Sequence, residues 1–178
     1  MKLGMKFNKE RILPLILTGC IIIADQVSKA IIAKCPIGSR IKDVFNNEFL
    51  EIWHVRNKAI AFSLGHGISE SIKPVLFIAL PVLVLCVLLW YYLSSEDFTR
   101  LQRWATAGIL GGGIGNIIDR IVRKDGVVDF ISVKFYGFLG FERWPTFNIA
   151  DSSVVVCCLL LFVTIIITSG KSKEKQVK

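Results

Sequence analysis

Four stretches of the chain are dominated by apolar residues: about 12–33, 74–93, 104–122 and 151–168. Each is long enough to cross roughly 30 Å of hydrocarbon as a helix rising about 1.5 Å per residue. The third is the most interrupted. It carries Gly108, Gly111, Gly112, Gly113 and Gly115 and ends in Asn116, Asp119 and Arg120. Pro14 is tolerated near the start of the first run, and Pro81 predicts a kink in the second. The segments between the runs read differently. Glu48–Arg56 is β-branched and aromatic with partial alternation, which predicts a strand, and Ala59–Ser63 is a candidate second strand. Phe135, Tyr136, Phe138, Phe141, Trp144 and Phe147 crowd a short stretch containing Gly137 and Gly140. Such a stretch serves as an anchor at the water–lipid boundary or as a flap over a site. The pattern predicts a mainly α membrane protein: a four-transmembrane-helix bundle with a small extracytoplasmic β-sheet and an interfacial helix or flap. Residues 1–178 then form a single integral membrane domain.

Composition supports the membrane class. Of the 178 residues, 53% are hydrophobic, and the mean hydropathy of +0.57 is too high for a typical soluble domain of this size. The net charge of +8 raises the question of nucleic acid, but its placement argues against that partner. Lys2, Lys6, Lys9 and Arg11 precede the first run, and Lys171, Lys173, Lys175 and Lys178 follow the last. Basic residues flanking apolar runs mark the cytoplasmic side, so both termini and the Arg100/Arg103 link face the cytoplasm. Segments 34–73 and 123–150 then face outward.

Cys20 sits in Leu17-Thr18-Gly19-Cys20, which has the look of a lipoprotein leader ending at a modified cysteine. The apolar run continues past it to Ala33, so a retained helix is expected. The five cysteines imply neither a zinc site nor a disulfide framework. Two histidines without a His-Glu-x-x-His pattern, and no Gly-x-Ser-x-Gly elbow, argue against zinc and serine hydrolase chemistry. No metal or cofactor is called for.

With this topology the ionisable groups collect in one layer. Asp25, Ser28 and Lys29 lie in the outer half of the first span. Asn116, Asp119 and Arg120 end the third, Asp129 follows, and Asn148 and Asp151 open the fourth. Carboxylates beside hydrocarbon are costly and are rarely kept without a task. Asp25 and Lys29 share a helix face at i, i+4, as a structural ion pair or as part of a site. Gly111 and Gly115 allow a neighbouring helix to come close. Arg120 suits the role of counter-charge to a carboxylate or a lipid phosphate. Asp151 alone reads as a helix-start residue and Asp129 alone as a turn residue. Together they can share one proton and so hold an acid beside a base.

Five blocks in order resemble the lipoprotein signal peptidases (signal peptidase II), aspartic peptidases of bacterial cytoplasmic membranes. They are Asp25-Gln-Val-Ser-Lys29, Asn57-Lys-Ala-Ile-Ala-Phe62, Gly111 to Arg120, Val127-Val-Asp-Phe130 and Phe147-Asn-Ile-Ala-Asp151. The resemblance implies that Asp129 and Asp151 are catalytic. It implies that Asp25, Lys29, Asn57, Asn116, Arg120 and Asn148 support the site or the substrate. It further implies cleavage of lipid-modified prolipoproteins before the lipidated cysteine, in contact with membrane lipids, by an enzyme functional as a monomer with its site near the outer leaflet. Ala59 stands where the family usually has glycine. A proton-coupled transporter and a passive scaffold are the competing readings; a proton relay would spread polar residues through the full depth of the bundle.

Overall fold

In a computed structural model of the protein, residues 8–58, 69 and 72–176 are described, those after Thr168 as helical backbone alone. Ala59–Ser63, with the Ala59 departure, and the basic residues Lys2, Lys6, Lys171, Lys173, Lys175 and Lys178 lie outside the residues whose side chains are described. The helices are α1 (Lys9–Ile12), α2 (Leu15–Ile32), α3 (Leu80–Ser94), α4 (Arg100–Val122) and α5 (Ile149–Gln176). Pro14 separates α1 from α2, where its missing N–H interrupts the helical ladder. A π-helical stretch, Val75–Ala79, leads into α3, and Pro81 sits in the first turn after it. The wide turn accommodates the ring and the absent donor. Beyond Cys20, α2 continues without a break to Ile32.

Among the described residues, three helical stretches are long and apolar enough to cross a membrane: Lys9–Ile32, Val75–Ser94 and Ile149–Thr168. Their outer faces carry bare apolar side chains, among them Ile16, Ile23, Leu83, Val155 and Phe162. That surface is stable against lipid and costly in water. α4 is different. It packs against α2, α3 and α5, and it buries polar and small residues including Gln102, Thr106, Gly111, Gly115, Asn116 and Asp119. Enclosure by the other helices explains why its composition is less apolar than theirs.

Small residues make that enclosure possible. A Cβ placed on Gly115 would stand 2.8 Å from Asp25 Oδ2 and 3.3 Å from Ala150 Cβ, and one on Gly111 would stand 3.0 Å from Ile21 Cβ. The close approach anticipated for these two glycines is therefore real. α4 starts with a capping box, Thr99 and Gln102 each satisfying the other's backbone N–H. At the same end, the buried Arg103 and Arg11 donate to the last carbonyls of α3 around Tyr92, Leu93 and Ser95, which suits the negative end of its dipole.

The sheet is antiparallel, in the order β1 (Arg40–Asp43), β2 (Leu50–Asn57) and β3 (Val127–Val133). The strand expected over Glu48–Arg56 is present as β2. Its second partner comes from the 123–150 segment, so the sheet stitches the two long links together. In the β2–β3 register Val55 faces Asp129 and Asn57 faces Val127. Ile32 of α2 packs with Val128 and Phe130 beneath the sheet. After β3 the aromatic segment returns on itself, with Lys134 bridged to Arg143 and Ile131 to Phe147. Its turn is a single 3-10 turn, Phe138–Gly140, rather than a longer helix. Phe135 and Trp144 pack with tilted rings, their centroids 5.0 Å apart, while Tyr136, Phe138 and Leu139 are exposed. Arg143 pins the return to Ser132 and to Glu51, 2.9 Å away.

Candidate active site

α2 supplies the first layer. Lys29 Nζ lies 2.8 Å from Asp25 Oδ2 and 3.4 Å from Asp119 Oδ2, all three side chains fully buried. It also donates to Asn116 Oδ1 at 3.0 Å. One ammonium therefore joins two carboxylates and an amide, which is what makes the buried charges tolerable. The remaining oxygens are used as well. Asp25 Oδ1 accepts the backbone N–H of Ala150 at 3.0 Å, satisfying a free donor at the start of α5. Asp119 accepts the N–H of Val128 at 3.0 Å, one residue before Asp129, and Arg123 Nε at 3.1 Å. Gln26 Nε2 ties Asp25, Asp119 and the Gly115 carbonyl together at 3.0–3.1 Å.

This layer carries the two candidate aspartates. Asp129 stands in the middle of β3 rather than at the end of a span or in a turn. Asn57, at the end of β2, donates to its Oδ2 at 3.0 Å. Asn148 donates to its Oδ1 at 2.7 Å. Asp151 lies in the first turn of α5. There Asn148 is the cap: its Oδ1 accepts the Asp151 N–H at 2.9 Å, while Asp151 Oδ2 accepts the Asn148 N–H at 3.2 Å. This reciprocal capping arrangement is the helix-start role foreseen for Asp151. Its other oxygen accepts Asn116 Nδ2 at 2.7 Å.

Asn148 thus holds both carboxylates, and Asn116 links Asp151 to Lys29. Arg120 makes no hydrogen bond to either aspartate, but the charges of Asp151, Asp129 and Asp119 all act on it. The eight residues singled out in the sequence fall in one connected region. Three side chains of the network were not among them: Asp119, Gln26 and Arg123. Asp119 had a signal, three residues from Asn116 and so on the same side of α4. Gln26 had none beyond its place next to Asp25.

Burial, with the neighbouring Asp151 charge second, pushes the Asp129 carboxyl up to about 7 despite hydrogen bonds from Asn57 and Asn148. It can therefore hold a proton at neutral pH beside a second carboxyl group. An acid and a base side by side can protonate one atom and deprotonate another in the same step. Among the described residues no group of His, Cys, Asp and Glu side chains is disposed to hold a metal ion.

Apolar-faced helices around two carboxyl groups joined through Asn148 define a multi-pass membrane protein, and its relatives place it in the aspartic peptidase class. The chain belongs to the signal peptidase II family: the family model described as "Signal peptidase (SPase) II" matches residues 17–167. It is 45% identical over 170 residues to the lipoprotein signal peptidase of Treponema denticola, covering 96% of this chain and 98% of that one. It is 41% identical to that of Treponema pallidum over 90% of this chain and 87% of the relative. A solved structure described as a bacterial membrane enzyme superposes with a TM-score of 0.77 at 28% identity, covering all of both chains. The peptidase relatives disfavour the transporter and scaffold readings.

Proposed function

We propose that the protein is a membrane-embedded aspartic endopeptidase acting on diacylglyceryl-modified prolipoproteins, with Asp129 and Asp151 as the catalytic pair. It removes the signal peptide by cutting just before the lipidated cysteine. The observation that carries this reading is the double grip of Asn148 on both carboxyl groups. In the proposed step the ionised member of the pair takes a proton from water. The protonated member donates to the scissile carbonyl. The tetrahedral hydrate then collapses, the C–N bond breaks, and the amine leaves with a proton. Asp25, Lys29, Asn57, Asn116 and Asn148 hold the pair in place, and Arg120 steadies charge that develops beside it.

Residues 1–178 form one integral membrane domain in this reading, and α4 joins the other three as a span, the third in chain order. Its 23 residues extend roughly 34 Å, enough to cross the hydrocarbon. Both termini are cytoplasmic and the aspartates lie near the outer leaflet of the cytoplasmic membrane. The acyl chains of the substrate stay in the bilayer, so depth and the modified cysteine select the bond. The enzyme works as a monomer. Asp129→Asn and Asp151→Asn, each tested on a lipidated precursor in membranes, should abolish processing while leaving the fold intact. Normal cleavage by either variant would sink the assignment of the pair.

A further inference from the structure

Beside the aspartates lies a cavity of about 350 Å³ between the start of the second span and the end of α4. Its described lining carries five cationic side chains, Lys58, Lys73, Arg120, Arg123 and Lys124, and no acidic one. Pro74, Phe77 and Ile78 contribute an apolar part of the lining. Arg123 is engaged by Asp119. Asn57 belongs both to this lining and to the site, where it donates to Asp129 at 3.0 Å. The cavity is therefore one side chain away from Asp129, and its charge is opposite to that of a carboxylate.

Peptide hydrolysis creates a charge that the substrate lacked. Water adds its oxygen to the carbonyl carbon and the C–N bond breaks. The products at neutral pH are a carboxylate on the released segment and an ammonium on the other fragment, since an α-carboxyl titrates near 3.5. A new carboxylate left beside the pair is repelled by its ionised member; a cationic cavity next door attracts it. We propose that this cavity is a product subsite for the α-carboxylate at the new C-terminus of the released peptide, its apolar lining receiving the adjoining side chains. The proposal rests on the peptidase function proposed above. It favours a peptide terminus over a lipid headgroup because Asn57 connects the cavity to Asp129.

The test measures equilibrium binding to the full-length protein in bilayer discs of neutral lipid. The probes are a short apolar peptide with a free C-terminal carboxylate and the same peptide as a C-terminal amide. The acid should bind about tenfold more tightly, and Lys58→Gln/Lys124→Gln should largely remove that difference. Both lysines are exposed, so the double variant should fold, and cleavage under single-turnover conditions should be unchanged. Equal binding of acid and amide, or a difference that survives the double variant, overturns the proposal. So does loss of the difference when anionic phospholipid replaces part of the neutral lipid, which would make the cavity a headgroup site. Binding requires no turnover, so this outcome is independent of whether the aspartate variants cleave.

Discussion

Asn148 donates its side-chain amide to Asp129 at 2.7 Å across nineteen positions of sequence, and through its backbone N–H it also holds Asp151. A strand and a helix are thereby locked at one residue. Asn148→Ala removes the donor to Asp129 and the cap on α5 together. Processing should fall by roughly a hundredfold, as when one preorganised donor is lost from a site. Asn148→Ser keeps a helix cap but is too short to reproduce the reach to Asp129. It should recover thermal stability without recovering the rate, as followed by precursor cleavage and unfolding of the same samples.

Lys29 neutralises two fully buried carboxylates. Asp119 keeps Arg123 as a second cationic partner, so Lys29→Met leaves Asp25 as the uncompensated charge and should cost about 3–5 kcal/mol. Lys29→Met/Asp25→Asn should restore part of the loss, because the orphaned charge is gone. A thermal unfolding series in detergent reads the coupling; equal losses for the single and double variants would contradict it.

The glycines of α4 separate by what they face. Gly115→Ala drives a methyl against Asp25 Oδ2 and Ala150 Cβ, both fixed by the network, and should destabilise by about 1–3 kcal/mol. Gly113→Ala meets the Leu85 side chain, its two terminal carbons nearest, and that side chain is able to change rotamer. It should remain close to the parent in unfolding temperature.

Asp129, held up at about 7, makes stability depend on pH with a definite sign. Between its ordinary value of 3.8 and about 7 the folded state keeps a proton that the unfolded chain releases. Its contribution is fully present below 3.8 and is lost as pH rises through about 7. The unfolding temperature should therefore fall from about pH 5 to about pH 8, and Asp129→Asn should flatten that part of the slope. Cleavage should decline over the same alkaline range, as the proton needed for the carbonyl leaves.

Much of this molecule was legible from residue order. Runs of apolar residues fixed three helices, because a helix facing lipid needs an almost unbroken apolar surface. The Glu48–Arg56 alternation fixed β2, since a half-buried strand needs period two. The chemistry-bearing residues were recognisable as carboxylates and amides in apolar surroundings. α4 was harder, because a helix enclosed by others can carry glycines and polar groups and so loses the lipid-facing signature.

What the sequence by itself determined was local: which segments are helical, which faces are apolar, and which residue types stand near the membrane edge. Only the tertiary structure decided that Asp129 lies on a strand, that this strand pairs with β2, and that Asn148 bridges it to Asp151. It alone drew Asp119 and Gln26 into the network and set a cationic cavity beside the carboxyl groups. The physical reason is range. Helix periodicity is written over a few residues, whereas these hydrogen bonds join positions up to 125 residues apart, as Asp25 and Ala150 are, and exist only once the helices have closed around α4.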